Sequence, residues 1–125
     1  MREILFRAKG DTKYNEGGWI EGYLIKDIDG DYQIFFNGCC RRTVIPETIG
    51  QYTGLTDKNG TTIFEGDIIF WEKVREYGQI LYDEDDAMFY IEFDGWIDNF
   101  GNISKKTCEV VGNIHDNPES LEGKK

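Results

Sequence analysis

Short runs in which apolar and polar residues alternate recur along the whole chain, separated by turn-forming Gly, Asn and Asp. Successive side chains of a β-strand point to opposite faces of a sheet, so a period of two predicts strands. No segment has the sustained 3.6-residue apolar period of a long helix. The predicted strands are residues 4–8, 19–26, 32–36, 39–44, 67–71, 78–82, 87–93 and 108–114. The pattern therefore predicts a mainly β protein.

Turn-forming residues mark tight hairpins between these strands. Asn37-Gly38 favours a type I′ turn, in which both central residues adopt positive φ, and Asp57-Lys58-Asn59-Gly60 is the next hairpin signal. The acidic run 27–31 begins like a calcium-binding loop. However, Tyr32 and Gly38 stand where an EF-hand needs Gly and Glu, so a hairpin turn is predicted there instead.

The chain is predicted to contain two lobes. Residues 1–55 form a small N-terminal β lobe, in which Pro46 ends the strand pairing because proline has no N–H to donate to a sheet. Residues 56–125 contain Gly-led and aromatic strands joined by short polar connectors, which is typical of an SH3-like barrel. Asn117-Pro118 predicts the start of a short helical turn at residues 119–121, near the C-terminus.

Negative charge is concentrated in one part of the chain. The sequence has a net charge of −10, and residues 65–98 contain eleven acids but only two bases, Lys73 and Arg75. A field of this sign repels phosphate, so nucleic-acid binding through residues 65–98 is disfavoured. A protein partner with a basic surface would be attracted.

The densest group of acids admits three interpretations. It consists of Asp83, Glu84, Asp85, Asp86, Glu92 and Asp94, with Asp98 nearby. These residues form a solvated surface that maintains solubility, a surface that docks a basic protein or mimics nucleic-acid backbone, or a divalent metal site. Consecutive acids in a turn rarely converge on one ion, so no metal is predicted. Composition alone favours solubility, and docking of a basic protein is the functional hypothesis.

The sequence lacks the common catalytic arrangements. A Cys–His pair would have to join Cys108 to His115, the single histidine, but their odd spacing on one strand places the two side chains on opposite faces. There is no glycine-rich phosphate loop, and Cys39, Cys40 and Cys108 lack the spacing of a zinc site or a disulfide framework. We therefore predict reduced thiols, no cofactor and no enzymatic activity. A metal-dependent enzyme built on the clustered carboxylates is an alternative.

Further expectations concern location and partners. The first seven residues are too short and too charged for a secretory signal, and no apolar stretch has the roughly 18 residues of a membrane span, so a cytoplasmic protein is predicted. Phe35 and Phe36 cannot both face one core, which suggests a homo-oligomer. An alternative is a nucleic-acid-binding SH3-like module that uses the basic residues of the first lobe, Arg2, Arg7, Lys9, Arg41 and Arg42.

Several segments resemble the YopX family. They are MREILFRA at the start, IPETIGQYTGLTDKNG and IFEGDI in the middle, and VGNIHDNP near the end. The resemblance spans the whole chain and implies an SH3-type C-terminal part. It also implies a small protein that is encoded by phages or prophages and acts in the cytoplasm of a bacterial host cell. The family has no established activity, so the resemblance supplies no catalytic residue, and Phe64 stands where Tyr is common.

The central motif is interpreted as structural. Gly50, Gly54, Gly60 and Gly66 are spaced for repeated positive-φ turns as the chain crosses between the two lobes. Acidic residues beside them are suited to accept hydrogen bonds from turn N–H groups. The motif comprises Gly50, Gln51, Tyr52, Gly54, Asn59, Gly60, Glu65, Gly66 and Asp67. A ligand site at this motif is the alternative.

Overall fold

The structure is a computed structural model, which describes residues 3–13, 17–38, 40–102 and 105–117. The chain divides into two compact units, Met1–Tyr52 and Thr53–Lys125, whereas the sequence suggested a division between residues 55 and 56. The strands are β1 (Phe6–Lys9), β2 (Trp19–Lys26), β3 (Tyr32–Phe36), β4 (Cys40–Thr43), β5 (Gly50–Thr56), β6 (Thr62–Phe64), β7 (Asp67–Trp71), β8 (Glu76–Asp83), β9 (Met88–Phe93), β10 (Trp96–Asn99) and β11 (Cys108–Asn113).

In the first unit, antiparallel strands lie in the order β4-β3-β2-β1-β5. The core consists of Ala8, Ile34 and Val44, with Ile20 and Leu24 packed against them. Ala8 lies directly opposite Ile20, and Leu24 lies directly opposite Ile34. Cross-strand partners share a face, so the alternation in the sequence collects these apolar side chains on one side of the sheet.

Strand β2 changes its partner halfway along. Residues 19–22 pair with β1, and residues 23–26 pair with β3. At the change, Gly22 approaches β3 so closely that an added Cβ would lie 2.2 Å from the carbonyl oxygen of Phe35. Glycine is therefore required at this position for β2 to belong to both ladders.

The second unit contains a five-stranded antiparallel sheet in the order β10-β9-β8-β7-β11. Strand β5 pairs with β6, and the Thr53 hydroxyl donates a hydrogen bond to the Ile63 carbonyl at 2.8 Å. The core of this unit combines aliphatic and aromatic side chains from several strands. They are Ile63, Ile69, Trp71, Ile80, Ile91, Phe93, Phe100 and Cys108.

The structure confirms the prediction of a mainly β fold. Strands β2, β3 and β7 have the predicted bounds. Three strands were missed, β5, β6 and β10. The glycines of β5 and the Asp and Asn of β10 disfavour strands locally, and pairing with neighbouring strands overrides that preference.

The predicted SH3-like barrel is observed as an open sheet, and the predicted helical turn is not tested. Among the described residues, the strand pairings leave β10 and β11 at the two edges of the second sheet, so an antiparallel sheet is observed and not a closed barrel. The described helical segments are single 3-10 turns at Pro46–Thr48, Phe100–Asn102 and Lys105–Thr107. The turn predicted at 119–121 lies outside the described residues.

In the part of the chain that is described, no helix has the length and apolar character needed to cross a membrane.

The predicted hairpin at Asn37-Gly38 forms, and both residues adopt positive φ, 55° and 72°. Phe36 pairs with Cys40, so the connection is one residue longer than the two-residue loop that was predicted. Cys39, which was predicted to begin the following strand, lies outside the described residues.

Candidate functional site

The predicted acidic residues lie around one face of the second sheet. Ile80 and Ile91 are fully buried and lie directly opposite one another on the core face. Their neighbours Tyr90 and Glu92 therefore point to the other face, where Ile97 on β10 lies directly opposite Glu92. Ile97 is 63% exposed, which identifies this side of the sheet as an outer face.

Two shallow grooves include Glu92 and Ile97 of this outer face. The turn groove, of about 500 Å³, is lined by Tyr82, Asp83, Glu84, Asp85, Tyr90, Glu92 and Ile97. The hairpin groove, of about 530 Å³, is lined by Tyr77, Glu92, Phe93, Asp94, Gly95, Trp96 and Ile97. Glu92 and Ile97 line both grooves, and neither lining contains Lys or Arg. We call the two grooves together the acidic face.

The turn after β8 holds the acids in place. One carboxylate oxygen of Asp83, Oδ1, accepts hydrogen bonds from the backbone N–H groups of Asp85 at 2.9 Å and Asp86 at 3.3 Å. Ala87 completes the turn with a φ of 53°, a conformation that is uncommon for a residue other than glycine. Glu84 and Asp85 line the turn groove, whereas Asp86 is exposed but lines neither groove.

Stacked aromatic rings form a fixed wall of the hairpin groove. The Trp96 ring stacks on Phe93, with centroids 4.2 Å apart and planes 15° apart. The Trp96 Nε1–H group donates to the two carboxylate oxygens of Glu76 at 3.3 and 3.4 Å. The Trp71 ring also stacks on Phe93, with ring centroids 5.9 Å apart. The groove wall is therefore continuous with the core of the second unit.

Five of the six predicted acids line one of the two grooves, and Asp86 is the exception. Sequence reasoning missed the apolar members of the face, Tyr82, Tyr90 and Ile97. Tyr90 could have been found from the sequence, because it precedes the apolar Ile91 in a predicted strand and so points to the opposite face. Ile97 was hidden because β10 was not predicted, and its place in the face depends on pairing with β9.

The glycine-rich motif contributes to strands and turns. Gly54, Gly60 and Gly66 have positive φ, of 91°, 81° and 93°. The expectation of turns at Gly50 and Gly54 was wrong, because both lie in β5; Gly50 is buried opposite Arg7, whereas the positive φ expected at Gly54 is present.

Other motif residues connect separate segments of the chain. Gln51 lies opposite Phe6, and the Tyr52 N–H donates to the Leu5 carbonyl at 2.8 Å. Glu65 lies in the turn before β7. Asp67 is 1% exposed, and its Oδ2 accepts the Phe64 N–H at 2.8 Å.

Asp57 is a buried carboxylate that sequence reasoning left out of the motif. Its Oδ1 accepts N–H groups from Asn59 at 2.8 Å and Thr61 at 2.9 Å, and its Oδ2 accepts the N–H of Val110 at 2.8 Å. Burial raises the pKa of Asp57, but the bonds from Val110, Thr61 and Asn59 and the charge of Lys58 outweigh burial and lower the pKa overall. The carboxylate therefore fastens the 57–61 turn to β11.

Cys108 and His115, the pair considered for nucleophilic catalysis, lie in different environments. Cys108 is 1% exposed, and burial, together with the negative charge of Asp57, raises the pKa of its thiol, so the neutral form is favoured. His115 is exposed in the turn after β11. Among the described residues, no three His, Cys, Asp or Glu side chains are grouped as metal ligands.

Comparison with known proteins supplies one solved neighbour and one family. Three chains of solved structures match significantly, and among them is the crystal structure of protein EF1440 from Enterococcus faecalis. The two chains superpose with a TM-score of 0.61 at 26% sequence identity, over 97% of this chain and 99% of the other. No curated protein matches significantly. The model of the YopX protein family matches residues 6–122, and the chain therefore belongs to the YopX family.

Proposed function

We propose that this YopX-family protein is a non-catalytic protein–protein interaction module whose acidic face binds a basic partner, and that it acts as an accessory protein of phage or prophage in the bacterial cytoplasm. The observation that carries the proposal is the convergence of Asp83, Glu84, Asp85, Glu92 and Asp94 on two grooves that share Glu92 and Ile97. Positive side chains of a partner would meet carboxylates there without a competing cation in the lining.

The mixture of charge and apolar surface supports docking over simple solubility. Ile97 is 63% exposed and Tyr82 is 39% exposed, and both line the turn groove between carboxylates. Solubility requires charge, but it does not require exposed large apolar side chains beside that charge. Interfaces combine apolar contacts with complementary charges, which increase the association rate and specify the partner.

The test is capture of host-cell proteins by the immobilised chain, followed by binding of each captured protein in purified form. The face variant carries Asp83→Asn, Glu84→Gln, Asp85→Asn and Asp86→Asn. Asparagine keeps the Oδ1 atom with which Asp83 accepts the turn N–H groups, so the turn should persist. We expect affinity for a basic partner to fall at least about tenfold and its salt dependence to weaken.

A matched control separates the acidic face from net charge. Four exposed acids of the first unit, changed as Glu21→Gln, Asp29→Asn, Asp31→Asn and Glu47→Gln, remove the same charge elsewhere. The control should bind the partner nearly as tightly as the unmodified chain. Equal losses for the two variants, or no loss for the face variant, would show that the acidic face is not the docking surface.

A further inference from the structure

A third groove, in the first unit, has a different chemistry from the two grooves of the acidic face. This aromatic groove, of about 490 Å³, is lined by four aromatic side chains and by an amide and a guanidinium group: Trp19, Tyr23, Phe35, Phe36, Asn37 and Arg42. Its volume lies within the range of about 300–1,000 Å³ that is typical of ligand sites. Tyr23 is 62% exposed, so its ring is available to a ligand.

The strand register brings aromatic rings and a cation into one row. Tyr23 on β2 lies directly opposite Phe35 on β3, and Phe35 lies directly opposite Arg41 on β4. The adjacent Ile34 is fully buried in the core, so the side chains of this row point to the outer face. Direct cross-strand neighbours are about 4.5–5.5 Å apart, which places the two rings within reach of one planar ligand.

Cations flank the groove on two sides. Arg41 belongs to the row, whereas Arg42 lies opposite Ile34 on the edge strand β4 and lines the groove. Both are exposed, and the Arg42 guanidinium lies 5.6 Å from the Phe36 ring centroid. At the other end, the Arg7 guanidinium lies 4.7 Å from the Trp19 ring centroid. Glu21 is the acid in the lining, and it lies directly opposite Arg7, whose charge offsets it.

The negative charge of the chain is largely separate from this groove. Residues 1–52 contain eight acids and seven bases, whereas residues 65–98 alone contain eleven acids and two bases. The first unit is therefore nearly neutral, and the argument that residues 65–98 repel phosphate does not apply to its groove. Exposed rings beside guanidinium groups complement a ligand that combines planar bases with phosphates.

We propose that the aromatic groove binds a short segment of single-stranded nucleic acid. A base stacks on Tyr23 and Phe35, and the adjoining phosphates contact Arg41 and Arg42. Every base has a π face, so this mode of binding tolerates many sequences and requires unpaired bases. The proposal is independent of the acidic face, which lies in the second unit.

The test is fluorescence anisotropy at low salt with labelled oligothymidylate and oligouridylate, which separate DNA from RNA. Tyr23→Leu with Phe35→Leu keeps apolar bulk but removes the stacking rings, and we expect affinity to fall at least about tenfold. Arg41→Gln with Arg42→Gln should weaken binding and reduce the slope of log affinity against log salt by about 1. Circular dichroism checks that both variants keep the fold.

The matched control is Lys73→Gln with Arg75→Gln. It makes the same change in net charge at two exposed positions of the second unit, and it should leave affinity nearly unchanged. A duplex of the same composition should bind more weakly than either single strand, because its bases are already stacked on one another.

Three outcomes would overturn the proposal. The first is the absence of binding to both oligonucleotides at low salt. The second is an equal loss in the Lys73/Arg75 control, which would indicate a general charge effect. The third is dimerisation of the unmodified chain, detected by light scattering, that the Tyr23/Phe35 variant abolishes, since a second copy would then occupy the groove.

Discussion

Asp27 and Asp57 occupy equivalent places in two turns of similar geometry. Each begins a stretch of the form Asp-x-Asx-Gly, and each Oδ1 accepts the N–H groups of the residues two and four positions later, at 2.8–3.0 Å. The turns differ in one contact: among the residues that the structure describes, Asp57 alone of the two accepts a bond from a distant strand, from the N–H of Val110. Burial differs as well, since Asp57 is 5% exposed and Asp27 is half-buried.

This pair of turns gives a matched prediction. Asp57→Ala should lower the free energy of unfolding by about 3 kcal/mol, because it leaves the N–H groups of Asn59, Thr61 and half-buried Val110 without their charged acceptor. Asp27→Ala should cost only about 1 kcal/mol, since water can replace the carboxylate at an exposed turn. Urea unfolding at neutral pH measures both values. Equal costs would mean that the Val110 contact contributes nothing to stability.

Acid pH provides a second measurement of the same contact. The folded-state pKa of Asp57 is lowered, so its contribution to stability is present above the unfolded value of about 3.9 and is lost as pH falls through the folded pKa. The difference in stability between the unmodified chain and the Asp57→Ala variant should therefore shrink below about pH 4. A difference that stayed constant or grew at acid pH would contradict a lowered pKa.

At the residue level, the sequence predicted turns more readily than side chains that join distant segments of the chain. The Asn-Gly and Asp-Gly dipeptides carry their own conformational preference, so their turns were predictable. The role of Asp57 depends on a strand more than fifty residues away in the chain. Nothing local distinguishes it from Asp27.

Among the elements, β2 shows how one residue allows two sheet ladders to share a strand. An added Cβ at Gly22 would lie 2.2 Å from the Phe35 carbonyl oxygen and 2.9 Å from Ile34 Cγ2. The first of these atoms belongs to the backbone of β3, so it cannot move without disturbing the ladder. The row of Tyr23, Phe35 and Arg41 begins directly after this point.

We expect Gly22→Ala to destabilise the first unit by about 3 kcal/mol, at the upper end of the cost of overpacking. Gly17 provides the control, because it is exposed and the nearest atom to its added Cβ is a side-chain methyl of Thr12, 3.1 Å away. Gly17→Ala should change stability by no more than about 0.5 kcal/mol. Thermal unfolding followed by circular dichroism measures both, and a tolerated alanine at residue 22 would show that β2 and β3 can separate there.

The acidic face depends on an element that sequence patterns did not reveal. Its acids were recognised from composition alone, as a dense group in the sequence. Their apolar neighbour Ile97 comes from β10, a strand of four residues in which Trp96 and Ile97 favour a strand but Asp98 and Asn99 disfavour one. Pairing of β10 with β9 places Ile97 opposite Glu92 and so completes both grooves.

At the scale of the whole molecule, charge is unevenly divided. The net charge is −10, and residues 65–98 contain eleven of the 24 acids but two of the 14 bases. Like charges at this density repel one another in the folded state, and salt screens exposed charges over about 10 Å at moderate ionic strength.

Added sodium chloride should therefore raise the melting temperature of the unmodified chain. The face variant, with residues 83–86 changed to amides, should show a smaller increase because part of the repulsion has been removed. Calorimetry over a series of salt concentrations compares the two. A melting temperature that fell with salt would mean that ion pairs, such as those of Lys58 with Glu72 and Glu109, outweigh the repulsion.

The sequence by itself determined the mainly β character, most strand positions, the hairpin turns and the concentration of acids, because alternation, turn preference and charge are local properties of a chain. Tertiary structure decided which strands pair, that the second sheet has β10 and β11 at its edges, and which side chains share a groove. The physical reason is that pairing partners are distant in sequence. The convergence of Glu92 with Ile97, of Tyr23 with Phe35, and of Asp57 with Val110 exists only once those strands meet.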